Sequence, residues 1–352
     1  MKRVSTPGAF KFSQLASKLF LLGKASSAKP SSSHMARAGG KRMLHESRYK
    51  VVLCIAVVIG IAILGFAFSK TGWDQLFEQE KSAHFAVEEH KSFVIVVASY
   101  NNEEWAEKNL RSIFEQKYDN YRVIYIDDAS KDGTFAKVKQ NITKYQQWHR
   151  VDLIHNEYNR GAVENIYRAV RSCLDEEIVV LLDGDDWFPH EHVLERLNEA
   201  YADPSVWLTY GSYVEYPSYS YTVANFSQEL PQKVIEKNSV REFTKEQWYL
   251  SHLRTFYSAL FKKIKRTDLL YEGKYFDTAY DLAFMIPMVE MAGIHARFIK
   301  EILCIYNRSQ NMKEQQMRSK RQQQLSKHIL GLPCYSQLAS LDSDRSLEEV
   351  IR

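Results

Sequence analysis

Cysteine is scarce in this chain, and nothing in its spacing indicates a disulfide framework. The 352 residues include four cysteines, and their positions show neither paired nor metal-binding spacing. A small disulfide-stapled module is therefore excluded. Apolar residues make up 45% of the chain and aromatic residues 13%, which is enough for a packed core and excludes an intrinsically disordered protein.

Acidic residues are almost missing from the first 50 positions. This segment carries eleven Lys or Arg and a single acid, Glu46, whereas the rest of the chain carries 36 basic and 42 acidic residues. The positive charge therefore belongs to the tail, and we expect no nucleic-acid partner for the main part of the chain. The basic, Ser-rich tail fits a cytoplasmic segment and an organelle transit peptide equally well.

Charge is absent from residues 51–68, a run of eighteen uncharged and mostly apolar residues. As a helix this run would extend about 27 Å, close to the hydrocarbon thickness of a bilayer. We predict one transmembrane helix over 51–69, preceded by the tail at 1–50 and followed by a polar stalk at 70–91. The basic excess before the span predicts a cytoplasmic N-terminus, with the C-terminal bulk on the other side of the membrane.

A chain with this topology is expected in the lumen of the Golgi or the endoplasmic reticulum. A membrane-tethered domain that faces the cytoplasm, or an organelle location, is the alternative. Three Asn-x-Ser/Thr sequons begin at Asn141, Asn225 and Asn307, but one or two such matches arise by chance and support a secretory location only weakly.

Short apolar runs alternate with segments of helical periodicity after residue 91. This alternation predicts an α/β fold with a mostly parallel sheet and helices on both faces. Strands are predicted at 93–101, 121–130, 151–157, 177–186 and 206–216, with helices near 103–116, 132–148, 161–174 and 190–202. Further along, we predict a helix over 252–263 with Phe256, Leu260 and Ile264 inward, a helix within 275–293 and a strand at 298–307.

Polar residues stand where three of these strands end. They are Ser99-Tyr100-Asn101, Asp127-Asp128 and the cluster Asp183-Gly184-Asp185-Asp186. Ligands of parallel sheets bind at the carboxyl ends of the strands, and the glycine allows Asp183 and Asp185 to reach one hard cation. Mg²⁺ or Mn²⁺ held in this way usually takes phosphate oxygens as further ligands, which indicates a diphosphate-bearing substrate. We favour this explanation of the acids over one in which they only form a solvated turn or cap a helix.

Four segments between residues 92 and 217 carry most of these polar strand ends: "VVASYNNEEWAEKNLRSIFEQ", "YRVIYIDDASKDGT", "NRGAVENIYRAV" and "LLDGDDW". In order and in spacing they resemble the family 2 glycosyltransferases of the GT-A, Rossmann-like fold. The resemblance implies a nucleotide-sugar donor, with a UDP-sugar favoured, an acceptor hydroxyl on a glycan, lipid or protein, and Mn²⁺ or Mg²⁺ as cofactor. It also implies inverting transfer with an aspartate as general base.

The same resemblance assigns roles to individual positions. Donor contacts are implied for Ala98, Ser99, Tyr100, Asp127 or Asp128, Asn159, Arg160, Gly161, Asp183, Gly184 and Asp186, and metal contacts for Asp185, the preferred direct ligand, and Asp183. For the base we prefer Asp281 over Asp277, although Thr278 and Ala279 stand where the family usually has Glu-Asp. His252 and Arg254 are candidates for acceptor or diphosphate contacts.

The chain is accordingly divided into a nucleotide-sugar-binding half at 92–217, an acceptor-binding and catalytic-base half at 218–310, and a polar tail of helical propensity at 311–352. One alternative is a catalytically inactive, membrane-tethered glycan-binding or scaffold protein of the same fold. Another is a haloacid-dehalogenase-type phosphatase, which also ends an apolar strand in Asp-x-Asp but expects Thr or Val where Trp187 stands.

Overall fold

The computed structural model describes residues 90–219, 227–309 and 312–341. Within these ranges the strands are β1 (Phe93–Ser99), β2 (Tyr121–Asp127), β3 (Val151–His155), β4 (Ile178–Leu181), β5 (Leu208–Tyr216), β6 (Ser251–Tyr257), β7 (Leu270–Tyr271), β8 (Lys274–Tyr275) and β9 (Ala296–Asn307). The helices are α1 (Ala106–Phe114), α2 (Thr134–Lys144), α3 (Ala162–Ser172), α4 (Val193–Tyr201), α5 (Gln232–Glu236), α6 (Val240–Thr244), α7 (Ser258–Lys262), α8 (Tyr280–Ala292) and α9 (Met312–Leu330).

Seven of the strands form one sheet in the order β3-β2-β1-β4-β6-β5-β9. The strands β3, β2, β1 and β4 are mutually parallel, β5 and β9 are parallel to each other, and β6 runs antiparallel to both of its neighbours. The predicted α/β fold with a mostly parallel sheet is therefore confirmed. β7 and β8 form a separate two-stranded sheet.

Helices cover both faces of this sheet, as predicted. Alternate residues of β1 point to opposite faces, so that Val94 and Val96 join one buried cluster and Phe93, Ile95 and Val97 join the other. The first cluster takes apolar residues from α3, α7 and α8, and the second takes them from α1, α2 and α4. The two clusters hold the sheet rigid beneath the edge where the parallel strands end.

The helix predicted over 252–263 is wrong. Its first half is the strand β6, which lies between β4 and β5, and only the short helix α7 follows. All but the last residue of β6 are buried, so this strand lacks the alternation of apolar and polar residues that identifies a half-exposed strand. Phe256, Leu260 and Ile264 are buried, as predicted.

A buried ion pair joins the helices α6 and α8. Arg241 of α6 and Glu290 of α8 are 3% and 0% exposed, with 2.8 Å between the guanidinium Nε and the carboxylate Oε1. Arg241 also donates to the carbonyl of Ile329 in α9, and Glu290 accepts the N–H of Tyr335. These contacts tie α9 and the chain that follows it to the main body.

Several sequence predictions fall outside the described residues. They are the tail at 1–50, the predicted span at 51–69 and all of the stalk except residues 90 and 91. The part of the chain that the structure describes contains no helix both long and apolar enough to cross a bilayer. The boundary between the halves at 217 and 218 stays a prediction, and the sheet takes strands from both sides of it.

Candidate active site

Three parallel strands and one antiparallel strand bring the candidate residues to a single edge. Ser99 at the end of β1 is paired in register with Asp127 at the end of β2, and β4 ends two residues before Asp183. Because β6 is antiparallel to β4, its beginning lies at this edge, with Arg254 paired to Leu181. The sequence predicts that the ends of the parallel strands meet at this edge. It does not predict the contribution of β6, because this segment is expected to form a helix.

The acidic loop after β4 is held by a buried amide. The Asn109 side chain, which is fully buried in α1, donates from Nδ2 to the carbonyls of Asp183 (3.0 Å) and Asp186 (2.8 Å). Gly184 lies directly against β1, because a Cβ atom at this position would stand 2.4 Å from the Ser99 Oγ. The loop therefore requires glycine here for close packing, and Ser99 and Gly184 support its shape.

Asp186 is fully buried, and only one of its two carboxylate oxygens has a hydrogen-bond partner. Its Oδ1 accepts the N–H of Asn307 at 2.8 Å, whereas its Oδ2 has no hydrogen-bond partner. Burial raises the pKa of Asp186 well above its usual range, and the charges of Asp185 and Asp183 raise it further. A buried carboxylate oxygen without a partner is costly, so this atom calls for a proton or a cation.

Asp183 lies beside Asp186 and faces three polar side chains. Its Oδ2 is 3.8 Å from the His252 Nε2, and it accepts a hydrogen bond from the Tyr280 hydroxyl at 3.4 Å. Burial opposes ionisation of Asp183, but His252, Arg254 and Tyr280 outweigh burial and lower its pKa. Asp183 is therefore an anion at neutral pH.

A group of three side chains at this edge has the composition of a divalent-metal site. One ligand atom from each of Asp183, Asp186 and His252 lies within 4.8 Å of the others. The free Oδ2 of Asp186 and the ionised Asp183 fit a hard cation such as Mn²⁺ or Mg²⁺. Asp185, the preferred ligand by sequence, is half-buried in the same loop but is not part of this group, and its assignment stays a prediction.

His252 is engaged by the protein itself. Its Nε2 is 3.2 Å from the Arg254 Nη1, and burial together with this guanidinium lowers the pKa of His252. The His252 Nε2 thus lies between the Arg254 guanidinium at 3.2 Å and the Asp183 carboxylate at 3.8 Å. Because this nitrogen already has protein partners, the two carboxylates are the better metal donors of the group.

The two candidates for the catalytic base occupy different environments. Asp281, in the first turn of α8, contacts the buried Arg254 with 3.3 Å between Oδ2 and Nη2, and it is joined through Arg254 to the strand-end edge. Asp277 is 63% exposed in its side chain and contacts Arg321 of α9 at 3.4 Å. Asp281 is therefore linked to the strand-end edge through Arg254, whereas Asp277 is paired with α9.

The acids that follow β2 serve largely to shape the loop. The fully buried Asp127 accepts hydrogen bonds at Oδ2 from the Ser130 N–H and from the His155 Nδ1, at 3.3 and 2.7 Å, while its Oδ1 has no partner. Asp128 accepts the backbone N–H groups of Arg160 (2.8 Å) and Gly161 (2.9 Å). These bonds place residues 159–161 beside the end of β2.

The other implied donor contacts also lie near this edge, with differing exposure. Tyr100 is 41% exposed, whereas Ser99 is buried and its Oγ accepts a hydrogen bond from the Asn102 side chain. Ala98 is half-buried in β1. The Arg160 guanidinium pairs with Glu164 at 2.9 Å and lies over the Tyr158 ring.

Sequence analysis missed two residues of the site. Tyr280 gives no signal by itself, because it is one of many aromatic and apolar residues around the start of α8. Asn109 does give one, because it is a polar residue on the same face of α1 as Ala106, Leu110 and Ile113. A polar side chain in such a stripe indicates a buried hydrogen bond.

The chain is similar to a known protein family, to several bacterial proteins and to solved structures. Residues 94–265 match the model of the family described as Glycosyl transferase family 2. This match runs from β1 to just beyond α7 and covers slightly less than half of the chain.

The relatives found by sequence are bacterial. The chain is 32% identical to the putative glycosyltransferase EpsE of Bacillus subtilis over 95 residues, which is 26% of this chain and 32% of that protein. It is 28% identical over 120 residues to the UDP-Glc:alpha-D-GlcNAc-diphosphoundecaprenol beta-1,3-glucosyltransferase WfgD of Escherichia coli, covering 34% of this chain and 44% of that protein. The matched segments thus span less than half the length of these relatives.

Among solved structures, the chain is similar to the mannosyltransferase PcManGT from Pyrobaculum calidifontis in complex with GDP-Man and Mn²⁺. The identity is 20% and the TM-score 0.49, over 80% of this chain and 77% of that one. It is also similar to glucosyl-3-phosphoglycerate synthase from Mycobacterium tuberculosis, with an identity of 15%, a TM-score of 0.48 and coverage of 70% and 83%.

Proposed function

We propose that this protein is an inverting, metal-dependent glycosyltransferase that moves a sugar from a nucleoside-diphosphate donor to an acceptor hydroxyl. The observation that carries the proposal is the juxtaposition of two sets of carboxylates at one sheet edge. Asp183 and Asp186 lie on the side of the parallel strands, and Asp281 faces them from α8 through Arg254. The match to the family 2 glycosyl transferase model supports the same activity.

The donor's nucleotide is proposed to lie over the ends of β1 and β2. The exposed ring of Tyr100 offers a stacking surface, and the loop at 159–161 closes the other side. Asp127 and Asp128 hold these walls in place. A UDP-sugar is the favoured donor, and the relative WfgD is named for the use of UDP-Glc.

Asp183 and Asp186 would hold a divalent ion, with Asp185 next to them in the loop. When bound, Mn²⁺ or Mg²⁺ neutralises charge on the diphosphate as it leaves. Tyr280 keeps its proton, because the Asp183 charge and burial raise its pKa well above the usual range. Its hydroxyl donates a hydrogen bond to the Asp183 carboxylate and so orients it.

Asp281 is proposed to take the proton from the acceptor hydroxyl as that oxygen attacks the anomeric carbon. A carboxylate suits this role because its oxygens can accept a proton and because it can be positioned in the first turn of a helix. Asp277 is the less favoured base because its exposed side chain points to Arg321.

The test is a screen of the full chain for sugar transfer from nucleotide-sugars, with Mn²⁺ and without it. We expect transfer that depends on the metal, and a loss of about 10²- to 10⁴-fold in kcat for Asp281→Asn, with donor affinity retained. Asp183→Asn is expected to weaken donor and metal binding instead. Asp203→Asn, which breaks an exposed pair with Arg297, is the matched control and is expected to behave as the wild type.

Three results would contradict parts of the proposal. Loss of transfer in Asp277→Asn but not in Asp281→Asn would assign the base to Asp277. Binding of a glycan with no consumption of any donor would favour a binding or scaffold protein. Hydrolysis of phosphate monoesters without sugar transfer would favour a phosphatase.

We also propose that residues 51–69 anchor the protein in a membrane, with the family 2 domain in the lumen of the secretory pathway. The uncharged run at 51–68 and the basic tail before it support this topology. The sequons contribute little, because Asn141 and Asn307 are 2% and 4% exposed in the folded chain. Protease protection of the domain in sealed microsomes is the expected result, and digestion without detergent would indicate a cytoplasmic domain.

A further inference from the structure

We propose that Arg254 is a positioning residue: it holds the Asp281 carboxylate in its working place and does not bind the donor's diphosphate. The inference rests on the proposed transferase function, in which Asp281 is the base. The sequence predicts that Arg254 contacts the acceptor or the diphosphate. In the structure, its guanidinium contacts protein atoms instead.

All three guanidinium nitrogens of Arg254 have protein acceptors. Nη2 donates to the Asp281 Oδ2 at 3.3 Å, Nη1 to the His252 Nε2 at 3.2 Å, and Nε to the Leu250 carbonyl at 3.3 Å. The residue is 5% exposed. A guanidinium held at three points and shielded from solvent is poorly placed to receive a diphosphate.

The support behind Arg254 is rigid. Arg254 lies in β6, where it is paired with Leu181 of β4 in the middle of the sheet. Its partner His252 stacks on the Tyr306 ring, with 5.1 Å between ring centroids, and meets the edge of Tyr213. The proposed base, in the first turn of α8, is thus connected through Arg254 to a strand inside the sheet.

Tyr280 provides a second contact from the same turn. Its hydroxyl reaches Asp183 at 3.4 Å, while its neighbour Asp281 reaches Arg254. Ala279 before them has a left-handed backbone, with φ of 54°, and this conformation directs the start of α8 toward the edge. Without Arg254, Tyr280 still contacts Asp183, but the Asp281 Oδ2 loses its partner and only Oδ1 stays bonded, to the Leu282 N–H.

Steady-state kinetics of the full chain test this inference through Arg254→Met, Arg254→Lys, Asp281→Asn and the combination of Arg254→Met with Asp281→Asn. Because a misplaced base slows the chemical step, we expect Arg254→Met to lower kcat by about 10- to 100-fold, with the donor KM within about threefold. Arg254→Lys keeps the charge but not the fork geometry, and is expected to recover part of kcat. On the Asp281→Asn background, Arg254→Met is expected to cost less than about threefold more.

Calorimetry provides a readout that does not depend on turnover. Binding of UDP with Mn²⁺ is expected to change by less than about threefold in Arg254→Met, because the guanidinium does not touch the donor. The matched control is Arg297→Met, which removes an arginine from an exposed pair with Asp203 and is expected to leave kcat and KM unchanged.

The inference is overturned if Arg254→Met raises the donor KM or weakens UDP binding by tenfold or more, or if its cost is the same with and without Asp281. The first result would place the guanidinium on the diphosphate, and the second would show that Arg254 acts independently of Asp281. Should Arg254→Met not fold, the same criteria apply to Arg254→Lys. A wild-type chain that transfers no sugar from any donor would refute the proposed function itself, which separates that failure from the failure of the Arg254 assignment.

Discussion

Replacement of Asp128 by asparagine tests whether this residue shapes the nucleotide-binding loop or binds the donor directly. The Asp128 Oδ1 accepts the N–H of Arg160 at 2.8 Å and the Asn156 side chain at 2.8 Å, and its Oδ2 accepts the N–H of Gly161 at 2.9 Å. Gly161 has a φ of 82°. The hydrogen bonds from the backbone N–H groups of Arg160 and Gly161 to Asp128 hold this backbone conformation in place. Asparagine keeps one acceptor oxygen and replaces the other with a donor.

The size of the effect follows from these bonds. A hydrogen bond to a charged group contributes about 1.5–3 kcal/mol, and one of the two backbone amides loses such a partner in Asp128→Asn. The local free energy of opening at residues 160 and 161 should fall by that amount. At about 1.4 kcal/mol per factor of ten, amide exchange there should accelerate by about 10- to 150-fold.

Hydrogen exchange of the full chain, followed by mass spectrometry over residues 156–165, measures this change without any ligand. The Gly133 amide, which is bonded to the Glu103 carboxylate at 2.7 Å, serves as an internal control. Asp152→Asn, a change at an exposed acid, is the matched variant. Unchanged exchange at Arg160 and Gly161, together with lost donor binding, would refute the loop-shaping role and assign Asp128 to the donor.

Three further predictions concern stability and packing. Glu290→Gln leaves Arg241 buried without a charged partner and should lower the free energy of unfolding by about 3–5 kcal/mol, as measured by thermal unfolding, with partial recovery when Arg241→Met is combined with it. Gly184→Ala should cost about 1–3 kcal/mol in unfolding free energy and weaken UDP binding in calorimetry, because the new Cβ would meet Ser99. Burial opposes ionisation of Glu177, but its arginine partner lowers the pKa overall, so its stabilisation is present at neutral pH and lost on acidification. The stability gap between wild type and Glu177→Gln should therefore close between about pH 5 and pH 3 in denaturant titrations.

The first half of the fold could be predicted because its signals are local. The strands β1 to β4 are short apolar runs separated by amphipathic helices, and that pattern depends on nearest neighbours along the chain. β6 carries no such signal, because it is buried on both faces between β4 and β5 and runs directly into the short helix α7. Pairing with distant strands decides its conformation, and tertiary contacts of this kind override local propensity.

The site divides in the same way. The acids after β4 could be predicted because polar residues at strand ends converge on one edge. The contact between Arg254 and Asp281 could not, because it joins residues 27 positions apart that meet only once β6 has entered the sheet. The sequence likewise cannot show that the Asp186 Oδ2 lacks a hydrogen-bond partner, because this depends on which residues surround the carboxylate in the folded chain.

The central claim is that the acids closing β4 hold a divalent ion together with a donor's diphosphate. Isothermal titration of the full chain with UDP, in the presence and absence of Mn²⁺, tests it most directly. We predict binding that requires Mn²⁺ and is weakened at least about tenfold by Asp183→Asn, which corresponds to about 1.4 kcal/mol. Equal UDP affinity with and without the metal, or no binding of either by the folded chain, would contradict the claim.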